Sequence, residues 1–138
     1  MTIHVSSRQF SWDDQHLFAR LSGDVNPMHM DPVVARRTSA GGPVVHGVHL
    51  LVWAINELAV RITAGRITRV KADWSSFVHI GETADLLLET ETVGRLRARI
   101  CVQSQPVATL SICRGPGALS RLKRTAFSIR SQPMCLTI

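Results

Sequence analysis

Residues 44–62 limit the possible folds more than any other stretch of the chain. They place apolar side chains on nearly every side of a helix: Val45, Val48, Leu50, Leu51, Val52, Trp53 and Ile55 first, then Leu58, Val60 and Ile62. A helix that is apolar on most faces has to be buried on most faces, so the remaining chain must wrap it. Suitable material follows directly. Residues 67–77, 84–92, 96–103 and 107–113 are rich in Val, Ile, Leu and Thr, and turn signals at Ile80-Gly81-Glu82, Val93-Gly94-Arg95 and Gln105-Pro106 divide them. An opening strand at 3–10, several helices, and then four strands joined by hairpins make an α+β layout. The expected form is one long central helix wrapped by a curled antiparallel sheet of about five strands.

Between the opening strand and the long helix the chain is more polar. Ser11 with Asp14 three residues on predicts a capped helix start, with Leu17, Phe18 and Leu21 as its apolar face and Gly23 as its stop. Residues 24–30 read as irregular. Asp31-Pro32 predicts a second, short helix, because proline is well tolerated at the first helical position. Gly41-Gly42-Pro43 predicts a turn.

Charge narrows the function. The chain carries 16 Lys and Arg against 10 Asp and Glu, which invites a nucleic-acid reading until the charges are located. All ten acids and eleven of the basic residues stand in residues 1–113. The other five, Arg114, Arg121, Lys123, Arg124 and Arg130, stand in residues 114–138 without an acid. The body therefore lacks the basic stripe of a nucleic-acid binder, and two regions are expected: a domain over 1–113 and a basic, linker-like tail over 114–138. No membrane-length apolar run and no secretory pattern stand out, so the cytoplasm is the expected compartment. The three cysteines lack zinc-site spacing. No metal or cofactor is expected.

Chemistry concentrates in one short segment. Asp24 and His29 lie within six residues, and a carboxylate with an imidazole at one water is a natural acid and base pair. Pro27 stiffens the loop between them, and Asn26 can tie it to nearby backbone through its amide. Further on, Gly47 enters the first turn of the long helix, where unpaired N–H groups carry partial positive charge. Such a group could steady negative charge on a substrate oxygen.

Residues 21–32 (LSGDVNPMHMDP), Ala35, and residues 42–48 (GPVVHGV) resemble the hydratase motif of MaoC-like (R)-specific enoyl-CoA hydratases, and Phe77-Val78-His79-Ile80-Gly81-Glu82 resembles a later segment of that family. The resemblance spans residues 8 to 113. It implies a hotdog fold, water addition to a 2-enoyl thioester, Asp24 and His29 as the dyad, and Gly47 as oxyanion donor. It also implies substrate contacts at Asn26, Ala40, His46 and Val48, and a homodimer with the acyl chain beside the central helix. Coenzyme A or acyl carrier protein would carry the acyl group. Two positions depart from the family pattern: Ala40 replaces a usual phenylalanine, and Ile55 a serine found in some members.

Other readings compete. His46 reads better as a structural residue bonding loop backbone, and His46 with His49 offers at most a partial metal pair. The alternation of Arg95, Arg97 and Arg99 reads as a solvated strand face before it reads as a phosphate patch. A hotdog thioesterase would need an acid on the central helix, where Glu57 alone stands. A non-catalytic half of a larger fused enzyme is the remaining alternative.

Overall fold

A computed structural model describes residues 1–61 and 65–116, together with the backbone of 126–130. Strand β1 (Ile3–Gln9) leads into helix α1 (Trp12–Ser22). The Ser11 hydroxyl accepts from the Asp14 N–H while the Asp14 carboxylate accepts from the Ser11 N–H, a reciprocal cap. Gly23 ends α1 at φ 77°, a left-handed conformation glycine adopts without strain. The buried side of α1 differs from the expected one. Gln15 and Ala19, four residues apart, face inward, whereas Leu17 (55% exposed) and Leu21 (78%) face out.

Two four-residue helices follow, α2 (Pro27–Met30) and α3 (Pro32–Ala35), each with proline at its start. The first lies where an irregular loop was expected. Asn26 and Asp31 make the helical turns possible: Asn26 Oδ1 accepts from Met28 N–H, and Asp31 Oδ1 accepts from the Val33 and Val34 N–H groups.

Helix α4 (Gly47–Ala59) is the long central helix, shorter at both ends than the apolar run. Before it the chain is held extended. Val44 forms a bridge with His79, and Val45 N–H donates to the Val78 carbonyl. After it, a turn at Val60 and Arg61 breaks the helix; Ile62 lies outside the described residues.

Strands β2 (Arg66–Trp74), β3 (Thr83–Glu91), β4 (Arg95–Val102) and β5 (Gln105–Gly115) complete the antiparallel sheet in the order β1-β3-β4-β5-β2. A sixth strand, β6 (Ala126–Arg130), pairs parallel with β2 from Arg69↔Ala126 to Asp73↔Arg130. It falls in the region expected to be linker-like, and Arg114 and Gly115 extend β5 into that region as well. Strand structure in 114–138 is therefore a correction to the expectation.

Alternation along the strands builds the core. On β4, Leu96, Ala98 and Ile100 point inward and are fully buried, while Arg97 and Arg99 point outward and pair with Glu89 of β3. Leu50, Leu51, Trp53, Ala54 and Leu58 of α4 pack on Leu86, Leu110, Ile112 and their neighbours. Each such leucine or isoleucine contributes about 1.5–3 kcal/mol on burial. The opposite side of α4 is left uncovered: Val48 is 41% exposed and Val52 53%.

Candidate active site

The dyad residues are brought together by hydrogen bonds to backbone. Asp24 follows the end of α1, where its N–H donates to Ser22 Oγ and its Oδ1 accepts from the Asn26 N–H. This turn leaves the carboxylate in solvent at the start of the proline-stiffened segment. His29, half-buried, stands one helical turn on in α2. Its Nδ1 lies 2.8 Å from the Val44 carbonyl oxygen. A carbonyl only accepts, so Nδ1 carries the hydrogen and the neutral ring has its lone pair on Nε2. Asp24, His29 and His46 each present a side-chain donor atom within 4.8 Å of the other two.

His46 sits beneath this pair. It is 1% exposed, and its ring stacks on His29 with centroids 4.1 Å apart. Nε2 donates to the Asp24 carbonyl at 3.0 Å, and Nδ1 faces Gln15 Oε1 at 3.2 Å. Burial holds the His46 imidazolium below the usual histidine range; the bond to the Asp24 carbonyl opposes this and neighbouring His29 adds to it. Expected among the substrate contacts, His46 is instead enclosed by protein.

Gln15 escaped sequence reasoning. It is 0% exposed, and its amide nitrogen donates to the carbonyls of His29 (3.1 Å) and Val44 (3.0 Å). A glutamine on an amphipathic helix reads as a surface residue. The only available signal was its i, i+4 relation to Ala19 and its i, i+3 relation to Phe18.

Gly47 begins α4 with no side chain capping its N–H groups, so the dipole-positive end of the helix opens beside the dyad segment. A Cβ at Gly47 would lie 3.4 Å from the Trp74 indole, which places Trp74 against the helix start. Val48 is exposed one residue along, and Asn26 is exposed with its Oδ1 on Met28 N–H. Ala40 lies in the turn before α4; its carbonyl accepts from His79 Nε2–H at 2.8 Å, and the His79 N–H donates to Glu82. The motif around 77–82 thus braces the site turn.

The donor set does not suit a metal. Both nitrogens of His46 and the Nδ1 of His29 face protein oxygens, which leaves one imidazole nitrogen and the Asp24 carboxylate. Zinc takes three or four protein ligands. Glu57, ten residues beyond Gly47, lies about 15 Å along the helix axis at 1.5 Å per residue, too far to join the dyad.

An α-helix wrapped by this sheet is the hotdog fold, here with a carboxylate and an imidazole beside the helix start. Residues 2–111 match the MaoC like domain, and the chain belongs to that family. A probable dehydratase of Ajellomyces capsulatus is 36% identical over 89 residues, 61% of this chain. A peroxisomal enoyl-CoA hydratase of Arabidopsis thaliana is 39% identical over 72 residues, half of this chain. The chain spans 23% of the length of each of these relatives. Among solved structures, an (R)-hydratase from A. caviae superposes with a TM-score of 0.66 at 22% identity, covering 81% of this chain and 91% of that one.

Proposed function

We propose that the chain is a hydro-lyase that adds water to the 2,3 double bond of an enoyl thioester, or removes it in reverse, with an (R)-3-hydroxyacyl thioester as product. The observation that carries this is the 2.8 Å contact of His29 Nδ1 with the Val44 carbonyl, which puts the lone pair of the neutral ring on Nε2, together with a His29 ring nitrogen within 4.8 Å of the Asp24 carboxylate. Both groups can hold one water. His29 Nε2 takes a proton from it as its oxygen bonds to C3, with Asp24 fixing the second hydrogen. Negative charge passes to the thioester oxygen, where the Gly47 N–H would receive it. The proton then returns from His29 to C2. Asn26, Ala40 and Val48 line the approach, and His46 supports it from below. The names of the relatives favour this chemistry, which needs neither metal nor cofactor.

The proposed catalytic unit is residues 1–113, with the basic segment outside it, and the proposed compartment is the cytoplasm. No helix among the described residues is long and apolar enough to cross a membrane. Coenzyme A and acyl carrier protein are both admissible carriers. A homodimer is supported by the uncovered Val48 and Val52 beside the site, since a second copy there would remove an apolar stripe from water and close the acyl path. The test is hydration of crotonyl-CoA followed by loss of enoyl absorbance, with chiral analysis of the product. No turnover by folded protein on crotonyl-CoA, longer enoyl-CoA esters or enoyl-acyl carrier protein would overturn the reading. It would favour the second one, a half-site module of a larger enzyme, which the short span of the relatives covered by this chain also suits.

A further inference from the structure

Among the described residues only two polar side chains are buried, Gln15 and His46. His46 holds the Asp24 backbone. Gln15 holds the backbone of the other dyad residue. Its amide nitrogen has two hydrogens and faces two carbonyls, those of His29 at 3.1 Å and Val44 at 3.0 Å. Both are acceptors, so the nitrogen of the amide, and not its oxygen, has to stand there. The Val44 carbonyl is shared. It also accepts from His29 Nδ1–H at 2.8 Å, and its two lone pairs serve both donors. One amide thus joins the main chain of His29 to the group that orients the His29 ring.

What the amide adds follows from the other ties. Val44 is anchored on its far side, by its bridge to His79 and by the Val45 N–H on the Val78 carbonyl. Helix α2 is less well secured to that strand. The backbone bond between them, Val44 N–H to the Met28 carbonyl, is long at 3.3 Å. A helix of four residues does not hold its own shape, so its seat depends on such contacts.

We propose that Gln15 is a positioning residue for His29, clamping α2 to the chain before α4 so that Nδ1–H stays on Val44 and Nε2 stays aimed at the water. The clamp matters most during the reaction. When Nε2 takes a proton the ring becomes an imidazolium, and its Nδ1–H bond to Val44 becomes charge-assisted and stronger. An interaction that strengthens only as charge develops acts on kcat rather than on substrate binding. This role rests on the hydratase reading, but the ring state it requires can be read without turnover.

The test compares wild type, Gln15→Met and Leu110→Ala, labelled with ¹⁵N-histidine, by NMR at about pH 8, above the ordinary histidine range. Methionine fills the space of glutamine but donates no hydrogen bond. Leu110→Ala removes stability from the sheet core and serves as the control. Wild type should show His29 as one tautomer, with its hydrogen on Nδ1, and Gln15 amide protons that exchange slowly with water. Gln15→Met should show both tautomers of His29. Its kcat and kcat/KM should fall together, by about 10–10²-fold, at an unchanged KM. Leu110→Ala should keep the Nδ1–H tautomer and its kcat per folded molecule. A single Nδ1–H tautomer in folded Gln15→Met overturns the proposal, as does a loss confined to KM. If methionine is not tolerated, Gln15→Asn, one methylene too short to span both carbonyls, repeats the test with the same expectations. A wild-type His29 with its hydrogen on Nε2, or freely exchanging Gln15 amide protons, overturns the proposal whichever variant folds. Absence of turnover in a protein with the expected tautomers counts against the hydratase reading alone.

Discussion

Between Ser22 and Gly47 the chain forms only two four-residue helices, and its side chains are bonded largely to its own backbone: Asp24 to Asn26, Asn26 to Met28, Asp31 to Val33 and Val34, His29 and Gln15 to Val44. Across β3, β4 and β5 the backbone bonds to itself in ladders, and side chains alternate between a dry interior and a charged exterior. The first region gains definition from individual polar contacts, each worth about 1 kcal/mol. The second gains it from many interchangeable apolar ones. A substitution should therefore alter chemistry in the first region without unfolding it, and alter stability in the second without changing chemistry.

The sharpest way to break that contrast is at the dyad. Asp24→Asn and His29→Ala should each lower kcat/KM on an enoyl thioester by about 10²–10⁴-fold, with circular dichroism and Tm close to the parent. A folded Asp24→Asn protein turning over at the parental rate would sink the dyad. The converse test is Leu110→Ala, on the fully buried face of β5. It should cost about 2–5 kcal/mol of unfolding free energy in urea titrations while leaving activity per folded molecule unchanged. An activity loss beyond the folded fraction would show that core and site are not separable.

Smaller effects sharpen the boundary between the two regions. Asp31→Ala removes the cap of α3 and should cost about 1 kcal/mol, with a further activity loss because α3 directly follows the His29 turn. Ser11→Ala should cost a similar amount with no effect on turnover. The contribution of Asp14, the other half of that cap, should depend on pH. Burial pushes Asp14 up, but hydrogen bonds from Ser11 and the charge of Arg8 together hold its carboxyl below the ordinary range. The folded-state value is thus the depressed one, so the stabilisation is fully present above the ordinary carboxylate range and is lost as pH falls below that range and through the depressed folded-state value. Urea midpoints of the parent and Asp14→Ala should therefore converge from neutral to acid pH. Parallel curves would show the contribution of Asp14 to be independent of its charge.

Strand period, hairpin signals and the all-round apolar helix made the sheet and α4 legible in the sequence, because each depends on repeated local pattern. The segment from Asp24 to His29 was marked by its motif rather than by period, and the structure brings the two side chains together. What stayed hidden depends on contacts between distant residues. The burial of Gln15 needs His29, Val44 and His46 to meet over it, and no window along α1 contains them. Leu17 and Leu21 mark an apolar side of α1 that lies in solvent, since the inward direction is set by Gln15 and Phe18 against the histidines. The start of α4 at Gly47 was displaced from the apolar run because Val44 and Val45 bond to residues 78 and 79.

Strand β6 leaves one more consequence. A β-strand has two hydrogen-bonding sides; β5 takes one side of β2 and β6 takes the other from Arg69 to Asp73. That second side can serve a single occupant at a time. A second copy seeking to continue the sheet across β2 would have to unzip β6 first, so the basic segment and the partner would be rivals for the same backbone groups. Assembly along that edge then becomes an exchange reaction, with a rate set by how readily five residues of parallel ladder peel away.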